Sequence, residues 1–419
     1  MGLGFFLGAL AGPQTGADAR TGGLKLQALY GKAWTGNWFR DRFRRAGVLR
    51  YDPARAQPGY TLYTLPADLS AHLIDMEGHE VYRWRVPKDE AIPEANGART
   101  LFGLLQPQVE GGHLFPNGDM ILVYEVKALN FFATPLVKFD KNSHVLWRTK
   151  AIAHHAIDVV NDKIYALNNT FQQLPPKLAV PNLLGLPFID EGVSVLDANG
   201  AELSSHSILK AMENANIGIA DEVLASYSIA PLHSNSIEVL TAQTAPFIPG
   251  AKPGNVLLSL RNLDMLVVMD LENDKIIWAL RGGWRKQHDA KMLPNGHILL
   301  FDNQGGLMQH SPSRVLEIDP NTGGIVWSYE GTEDDPLDSA ENRGGAQRLA
   351  NGNTLINEAD SGRLLEVTPD GSVVWEYVVP VSAVESGQRL IATFGLDVTR
   401  CDPSDVSFLD DKELPQRSP

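Results

Sequence analysis

Cysteine is almost missing from this chain. A single residue, Cys401, leaves no internal disulfide and no cysteine-based metal site to consider. Basic charge is also scarce: 36 Lys and Arg stand against 50 Asp and Glu, a formal net charge of −14. That balance excludes nucleic acid as a partner, because a basic footprint is needed to meet phosphates. Long hydrophobic runs are lacking too. The apolar stretch F-F-L-G-A-L-A-G within residues 1–23 is too short to span a bilayer, and no basic residue precedes it. We read residues 1–23 as a tail or a truncated anchor. No Gly-rich nucleotide loop and no convincing metal cluster stands out, so no cofactor and no metal is expected.

What is present is a repeat. G-W-R-K-Q-H-D-A-K-M-L-P-N-G-H-I-L-L-F-D-N-Q-G-G is followed by S-R-V-L-E-I-D-P-N-T-G-G-I-V-W, ending at Trp327. Its four apolar runs (Asp289 to Leu293, His297 to Phe301, Val315 to Ile318, Ile325 to Trp327) are too short for helices and rich in β-branched and aromatic residues. P-N-G and P-N-T-G-G between them are turn chemistry, since Asn and Gly accept positive φ. The unit recurs with its last strand ending at Trp84, Trp147, Trp278 and Trp375, and once more with Ser204 in place of the tryptophan. Six units, about 50–75 residues apart, have the spacing of four-stranded blades that must stack to bury both faces. The expected fold is all-β: a six-bladed β-propeller over residues 59–400, with a short N-terminal helical arm at 24–58 and a tail at 401–419. The Asp…Trp pairs are read as scaffold, the Asp turning the chain and the Trp filling space between blades.

The arm mixes Trp34, Trp38, Phe39 and Phe43 with Arg40, Arg42, Arg44 and Arg45 at helical spacings. Residues 24–50 would suit an anionic membrane surface, a homodimer contact or, slightly favoured, the protein's own acidic surface. Two insertions, Thr170–Phe188 and Thr241–Pro253, are expected to build walls above the channel. The first unit lacks an innermost strand, and Arg389–Val398 is expected to supply it.

Function is sought where the units differ. Aligned at their first strands, the third unit begins His154–His155, the fourth His233-Ser-Asn235 and the fifth His288. The second and sixth have E-G-G and R-G-G there instead. First strands of propeller blades are innermost and run the same way, so these histidines should ring one mouth of the channel. Arg261 ends the second strand of the fourth unit, and antiparallel pairing returns it to that face. A guanidinium and an amide beside three imidazoles make a cage for a tetrahedral oxyanion. A lone histidine at a strand start usually only bonds the backbone, and a three-histidine zinc site is the rival for the set. Arg261 disfavours zinc, because a cation in the cage repels a metal and attracts an anion. His72, His79, His113, His144, His206, His297 and His310 have no partners in register and are read as structural.

These residues resemble those of the bacterial arylsulfotransferase family, the PAPS-independent aryl-sulfate sulfotransferases, over roughly Gly59 to Pro380. The resemblance rests on Q-H-D-A-K-M-L-P-N-G-H-I-L-L-F-D-N-Q-G, S-R-V-L-E-I-D, and H-S-N followed by L-S-L-R. It implies a propeller that moves a sulfuryl group from a phenolic sulfate donor to a phenol acceptor, ping-pong, through a sulfohistidine. It places the nucleophile on His288, further active-site histidines on His155 and His233, and sulfate contacts on Asn235 and Arg261. His154 is the alternative to His155. It also implies a periplasmic or periplasm-facing setting. The family's N-terminal β-domain and its disulfide have no counterpart here.

The chemistry fits the residues by themselves. A neutral imidazole near its usual pKa of about 6.5 is a competent nucleophile, and sulfuryl transfer, like phosphoryl transfer, needs charge stabilised on the equatorial oxygens. Two other readings stand beside it. D-P-N-T-G-G-I-V-W resembles the tryptophan-docking repeats of PQQ-dependent quinoproteins, and the repeats alone would serve as a scaffold that binds protein partners.

Overall fold

The structure, a computed structural model, describes residues 38–85, 107–126, 134–150, 153–173, 187–218, 231–304, 311–339, 343–385 and 388–410. The repeat's turn chemistry acts as its residue types dictate. Asp140 Oδ1 accepts from the backbone N–H of Asn142 and His144, and Asp75 and Asp197 make the same paired bonds in their own turns. The tryptophan that follows ties one sheet to the next. Trp84 donates to Gly118 O, Trp147 to Ala198 O, Trp327 to Pro369 O and Trp375 to Met76 O, all at 2.8–3.1 Å. Each acceptor lies in a turn of the following sheet.

The described chain is nearly all β. Four-stranded antiparallel meanders follow one another, each built of consecutive strands. Sheet 2 spans Pro107–Leu114 to Val145–Arg148, sheet 3 Ala153–Val160 to Glu202–Ser207, sheet 4 Ser234–Val239 to Lys275–Arg281, and sheet 5 His288–Met292 to Ile325–Tyr329. Sheet 6 runs from Gly345–Arg348 to Val373–Val378. Sheet 1 is Tyr60–Leu65, Ser70–Ile74 and Glu80–Arg85, with Val398–Cys401 paired onto Tyr60–Leu65 in the place of a first strand. The second and third strands are buried on both faces, as in Val256–Leu260, Met265–Asp270 and Ile298–Asp302. That is why they read as continuous apolar runs rather than alternating ones.

First strands of successive sheets lie side by side from sheet 2 to sheet 6, then against Val398–Cys401, and Tyr60–Leu65 in turn lies against Pro107–Leu114. Polar side chains tie this succession together. Asp158 accepts from Val239 N–H, Glu238 from Met292 N–H, Asp289 from Ala346 N–H, Gln347 from Arg400 N–H and Asp397 from Gly112 N–H, at 2.6–3.1 Å. The carboxylates explain two glycines of the variant motifs: a Cβ on Gly111 would lie 2.1 Å from Asp397 Oδ2, and one on Gly345 would lie 2.7 Å from Asp289 Oδ2. Between the first strands is a cavity of about 330 Å³, lined among others by Asp158, Asp289, Lys291 and Asp397.

Three expectations need correction. Within the described residues the arm is not helical. Trp38–Arg40 pairs with Gln388–Ala392, and Gly47–Tyr51 adds a fifth strand to sheet 6 along Val373–Val378. An unpaired sheet edge offers a row of backbone donors and acceptors that overrides a weak helical pattern. Trp38, Phe43 and Val48 pack on the core beneath, and Arg42 pairs with the buried Glu358 at 2.5 Å, so this stretch docks on the protein itself. Residues 1–37 lie outside the described residues.

The stretch closing sheet 1 is Val398–Cys401. Most of Arg389–Val398 instead joins a small sheet with Trp38–Arg40 and Ser382–Glu385 or links it onward. Finally, Thr241–Pro253 joins the end of a first strand to the start of a second, so it lies at the end of the sheets away from the strand starts. There Phe247 covers Gly296 in the neighbouring turn. The insertion at Thr170–Phe188 joins a second strand to a third, on the face where first strands begin, and its residues 174–186 lie outside the described residues.

Candidate active site

The first strands of sheets 3, 4 and 5 each break register near their start, with a non-glycine residue in the left-handed region nearby: His155 at φ 54° and Asp289 at φ 50° within their breaks, and His233 at φ 49° just before the one between Ser234 and Ser236. Such a conformation costs about 1–3 kcal/mol and persists where the surroundings impose it. In sheet 5 the left-handed residue is Asp289, so His288 precedes the bulge by one. The three histidines are therefore not strictly equivalent in register, although their side chains converge.

His155 stacks edge-on against His233 with ring centroids 5.0 Å apart, and His154 stands behind it, also at 5.0 Å. The nitrogens assign the protons. His154 Nε2 lies 3.1 Å from the carbonyl of Asn168 and must donate to it. His154 Nδ1 then has only a lone pair to offer to His155 Nδ1, 2.8 Å away, so the shared proton sits on His155. Both nitrogens of His154 are thereby committed to protein partners. The doublet resolves into an orienting residue, His154, and one that faces His233, His155, whose Nδ1 carries the shared proton. A direct substrate contact from His154 is not what this geometry offers.

His288 is fully buried. Its Nδ1 lies 3.0 Å from Lys286 O and 2.8 Å from Asn303 Oδ1, two acceptors, so Nδ1 carries the proton. Its Nε2 finds no hydrogen-bond partner among the described residues. Arg261 opens a 3₁₀ turn at the end of Val256–Leu260, where its N–H bonds His233 O at 3.1 Å. Asp264, ending that turn, accepts from Lys286 N–H at 2.7 Å, which fixes the segment leading into His288. Asn235 donates to Gln287 O at 2.8 Å, leaving one amide N–H beyond that bond and an Oδ1 with no partner among the described residues.

The electrostatics differ from a set of ordinary imidazoles. Burial, then the Arg261 guanidinium, push His288 down to about 3. Burial and the neighbouring His155 bring His154 to about 3, and burial with Arg261 holds His233 well below its usual value. These three rings are neutral throughout the physiological range. Glu191, whose carboxylate accepts from Ser234 N–H at 2.8 Å, is pushed up by burial to about 8, so it is largely protonated beside them. The fixed positive charge of the site is that of Arg261.

Among the described histidines outside this group, His79 and His144 bond the Asp of their own turns, His206 pairs with Asp274, His297 with Glu317, and His72 lies between Ser70 and Glu80; His113 packs edge-on against Phe115. His310 lies outside the described residues. Among the described residues no group of three or more His, Cys, Asp or Glu is arranged to hold a metal ion. Sequence reasoning missed Asn303 and Glu191. Asn303 was within reach: it follows the second strand of sheet 5 as Arg261 follows that of sheet 4, and the antiparallel argument that nominated one nominates the other.

Consecutive four-stranded sheets presenting neutral imidazoles and a guanidinium at one end define an all-β protein with a buried, anion-seeking site. The profile of the arylsulfotransferase (ASST) family matches residues 146–379, more than half of the chain and all of the candidate site residues from His154 to Asn303. The chain belongs to that family, and membership supports aryl sulfotransferase activity in general. No protein of curated function matches. Among solved structures, a protein of unknown function from Bacteroides caccae has 12% identity and a TM-score of 0.45 over 77% of this chain and 94% of that one. The quinohemoprotein alcohol dehydrogenase of Comamonas testosteroni has 11% identity and a TM-score of 0.43 over 86% and 73%. A streptogramin B lyase has 11% identity and a TM-score of 0.42 over 82% and 87%. These three likenesses have no bearing on the chemistry.

Proposed function

We propose that the six sheets are the blades of a closed six-bladed propeller, and that the site at its mouth transfers a sulfuryl group from an aryl sulfate to a phenol through a sulfohistidine. The observation that carries this reading is His288: a buried neutral imidazole with Nδ1–H pinned by two carbonyl acceptors and Nε2 without a partner among the described residues. Its lone pair attacks sulfur, the N–S bond forms, and the S–O(aryl) bond breaks with its electrons leaving on the phenolate. Arg261 and the second amide N–H of Asn235 hold the sulfuryl oxygens, where charge accumulates in the transition state. In the second half, His155 Nε2 takes the proton of the entering phenol, the phenol oxygen attacks sulfur, and the N–S electrons return to His288. His233, stacked on His155, shares in that proton transfer.

The lowered basicity of His288 suits both halves. The ring stays unprotonated, hence nucleophilic, far below neutral pH, and a weakly basic nitrogen gives the sulfuryl group up readily. An entering sulfate ester brings a negative charge that offsets Arg261 and raises the proton affinity of the surrounding rings. A leaving phenolate can then take a proton from His155 or His233. The periplasmic setting belongs to the same proposal.

The test is intact-mass analysis after incubation with 4-nitrophenyl sulfate. Wild type should gain about 80 Da on the peptide containing His288, one sulfuryl group, the sulfur analogue of a transferred phosphoryl. His288→Ala should lose the adduct and lower transfer to a second phenol by at least about 10⁴-fold. An adduct elsewhere, or full transfer by the variant, would refute the assignment; no adduct with several donors would favour a binding scaffold.

A further inference from the structure

The two motifs that replace histidine in the register, E-G-G and R-G-G, also bear on the site. Their charged residues meet: Arg343 Nε and Nη2 lie 3.0 and 2.7 Å from the two carboxylate oxygens of Glu110, in a pair whose side chains are 1% and 2% exposed. The same guanidinium reaches Gln108 Oε1 at 2.9 Å and Thr393 Oγ1 at 3.2 Å. A bidentate buried pair of this kind fixes the backbone that carries it. The carbonyl of Arg343 accepts from Asn303 Nδ2 at 2.8 Å and from Ser339 Oγ at 2.8 Å. Because that bond consumes the amide N–H₂ side, the oxygen of Asn303 must face His288, where Nδ1 lies 2.8 Å away.

From this chain of contacts we propose that Asn303 is a positioning residue. Anchored on Arg343 and through it on Glu110, it selects the Nδ1–H tautomer of His288 and so keeps the lone pair on Nε2. The inference rests on the sulfotransferase reading for its consequence in catalysis, but the tautomer itself is a property of the resting protein. Lys286 O also accepts from Nδ1, and as a carbonyl belonging to the same strand entry it restrains the ring less than an amide on the neighbouring strand that is itself clamped to Arg343. Once the sulfuryl group is on Nε2, the ring becomes cationic, and the Nδ1–H···Oδ1 bond turns into a charge-assisted one that holds the intermediate in line.

Two substitutions separate this role from mere packing. Asn303→Leu keeps the size and removes the acceptor. Asn303→Asp keeps an acceptor for Nδ1 and adds a negative charge, but gives up the donor to the Arg343 carbonyl. In ¹⁵N-histidine-labelled protein without substrate, wild type should show His288 with Nδ1 protonated and Nε2 bare; Asn303→Leu should show a mixture with the Nε2–H form, and Asn303→Asp should keep the wild-type pattern. With 4-nitrophenyl sulfate, Asn303→Leu should lower kcat about 10- to 100-fold with KM within about threefold, the range of lost second-sphere partners. Asn303→Asp should recover part of that loss and move the acid limb of kcat upward in pH, since a carboxylate favours the protonated ring. Asn303→Leu with an unchanged tautomer, or Asn303→Asp showing the Nε2–H form while both melt like wild type, would overturn the proposal. Failure of wild type to form the adduct would instead sink the sulfotransferase reading and leave the tautomer result standing on its own.

Discussion

The mouth of the sheets has two unlike halves. Sheets 3, 4 and 5 contribute the imidazoles of His155, His233 and His288 beside left-handed backbone, with Nε2 of His288 lacking a partner among the described residues. Sheets 6 and 2 contribute Arg343 and Glu110, full charges that neutralise each other bidentately and are almost completely buried. Burial acts on both, with opposite results. An imidazole can answer the cost of desolvation by giving up its proton, and stays available for chemistry. A guanidinium cannot, so it must be paired, and pairing makes it rigid and inert. One half carries the proposed chemistry, and the other is the proposed support that holds it in position.

That contrast can be tested on each side. After His288→Ala, the largest effect is expected from Arg261→Ala, which removes a proposed donor to the sulfuryl oxygens and should cost about 10²–10³-fold in kcat. It should also let His288 and His233 titrate closer to ordinary values, since Arg261 is one of the causes holding them down. A variant with full rate and an unmoved acid limb would show that Arg261 is not at the reacting group. In the inert half, Glu110→Gln leaves a buried guanidinium short of its partner, and denaturant unfolding should show a loss of about 3 kcal/mol. Transfer per folded molecule should fall far less than in Arg261→Ala; the reverse order would abolish the distinction between the halves.

A smaller effect is expected from pH alone. Burial raises Glu191 to about 8 and Glu238 and Asp397 to about 7, and raises Asp289 as well. A carboxyl whose folded pKa is raised stabilises the fold below its unfolded value and loses that contribution as pH climbs through the folded one. His154 and His288, held at about 3, act the other way: the unfolded chain takes up their protons below about 6.5, so stability falls as pH drops. The two trends oppose each other between about 4.5 and 6.5, and above that range the carboxyls act together with His72, which against its burial is raised by Asp68 and Glu80. Thermal unfolding should therefore occur a few degrees lower at pH 8.5 than at pH 6. A melting temperature that rises between those values would contradict the buried-carboxyl account. Least of all should follow from His144→Ala, an exposed turn residue on Asp140. It is expected to stay within about 0.5 kcal/mol and full activity, and a larger loss would blur the line between site and scaffold histidines.

Much of this was legible in the residues. The meander units, the Asp turns and the tryptophans that bridge to the next sheet could be read because each depends on neighbours a few positions apart, where pattern and geometry coincide. His288, His233 and Arg261 were legible as differences between units. Asn303 was not singled out, although the rule that found Arg261 covers it. The described part of the arm is extended rather than helical because the edge that Gly47–Tyr51 pairs with, Val373–Val378, lies more than three hundred residues away. The supposed wall at Thr241–Pro253 was misplaced because its length, rather than the direction of the strands it joins, had been taken as the guide.

What the sequence determined by itself is the repeating unit and the places where it departs from repetition, since strand period, turn residues and substituted positions are local properties. Only the tertiary structure decided which of two adjacent histidines faces His233, on which nitrogen each proton rests, and that Glu110 and Arg343 neutralise each other. Those outcomes depend on hydrogen-bond partners and on desolvation, which exist only once residues far apart in the chain share one dry volume.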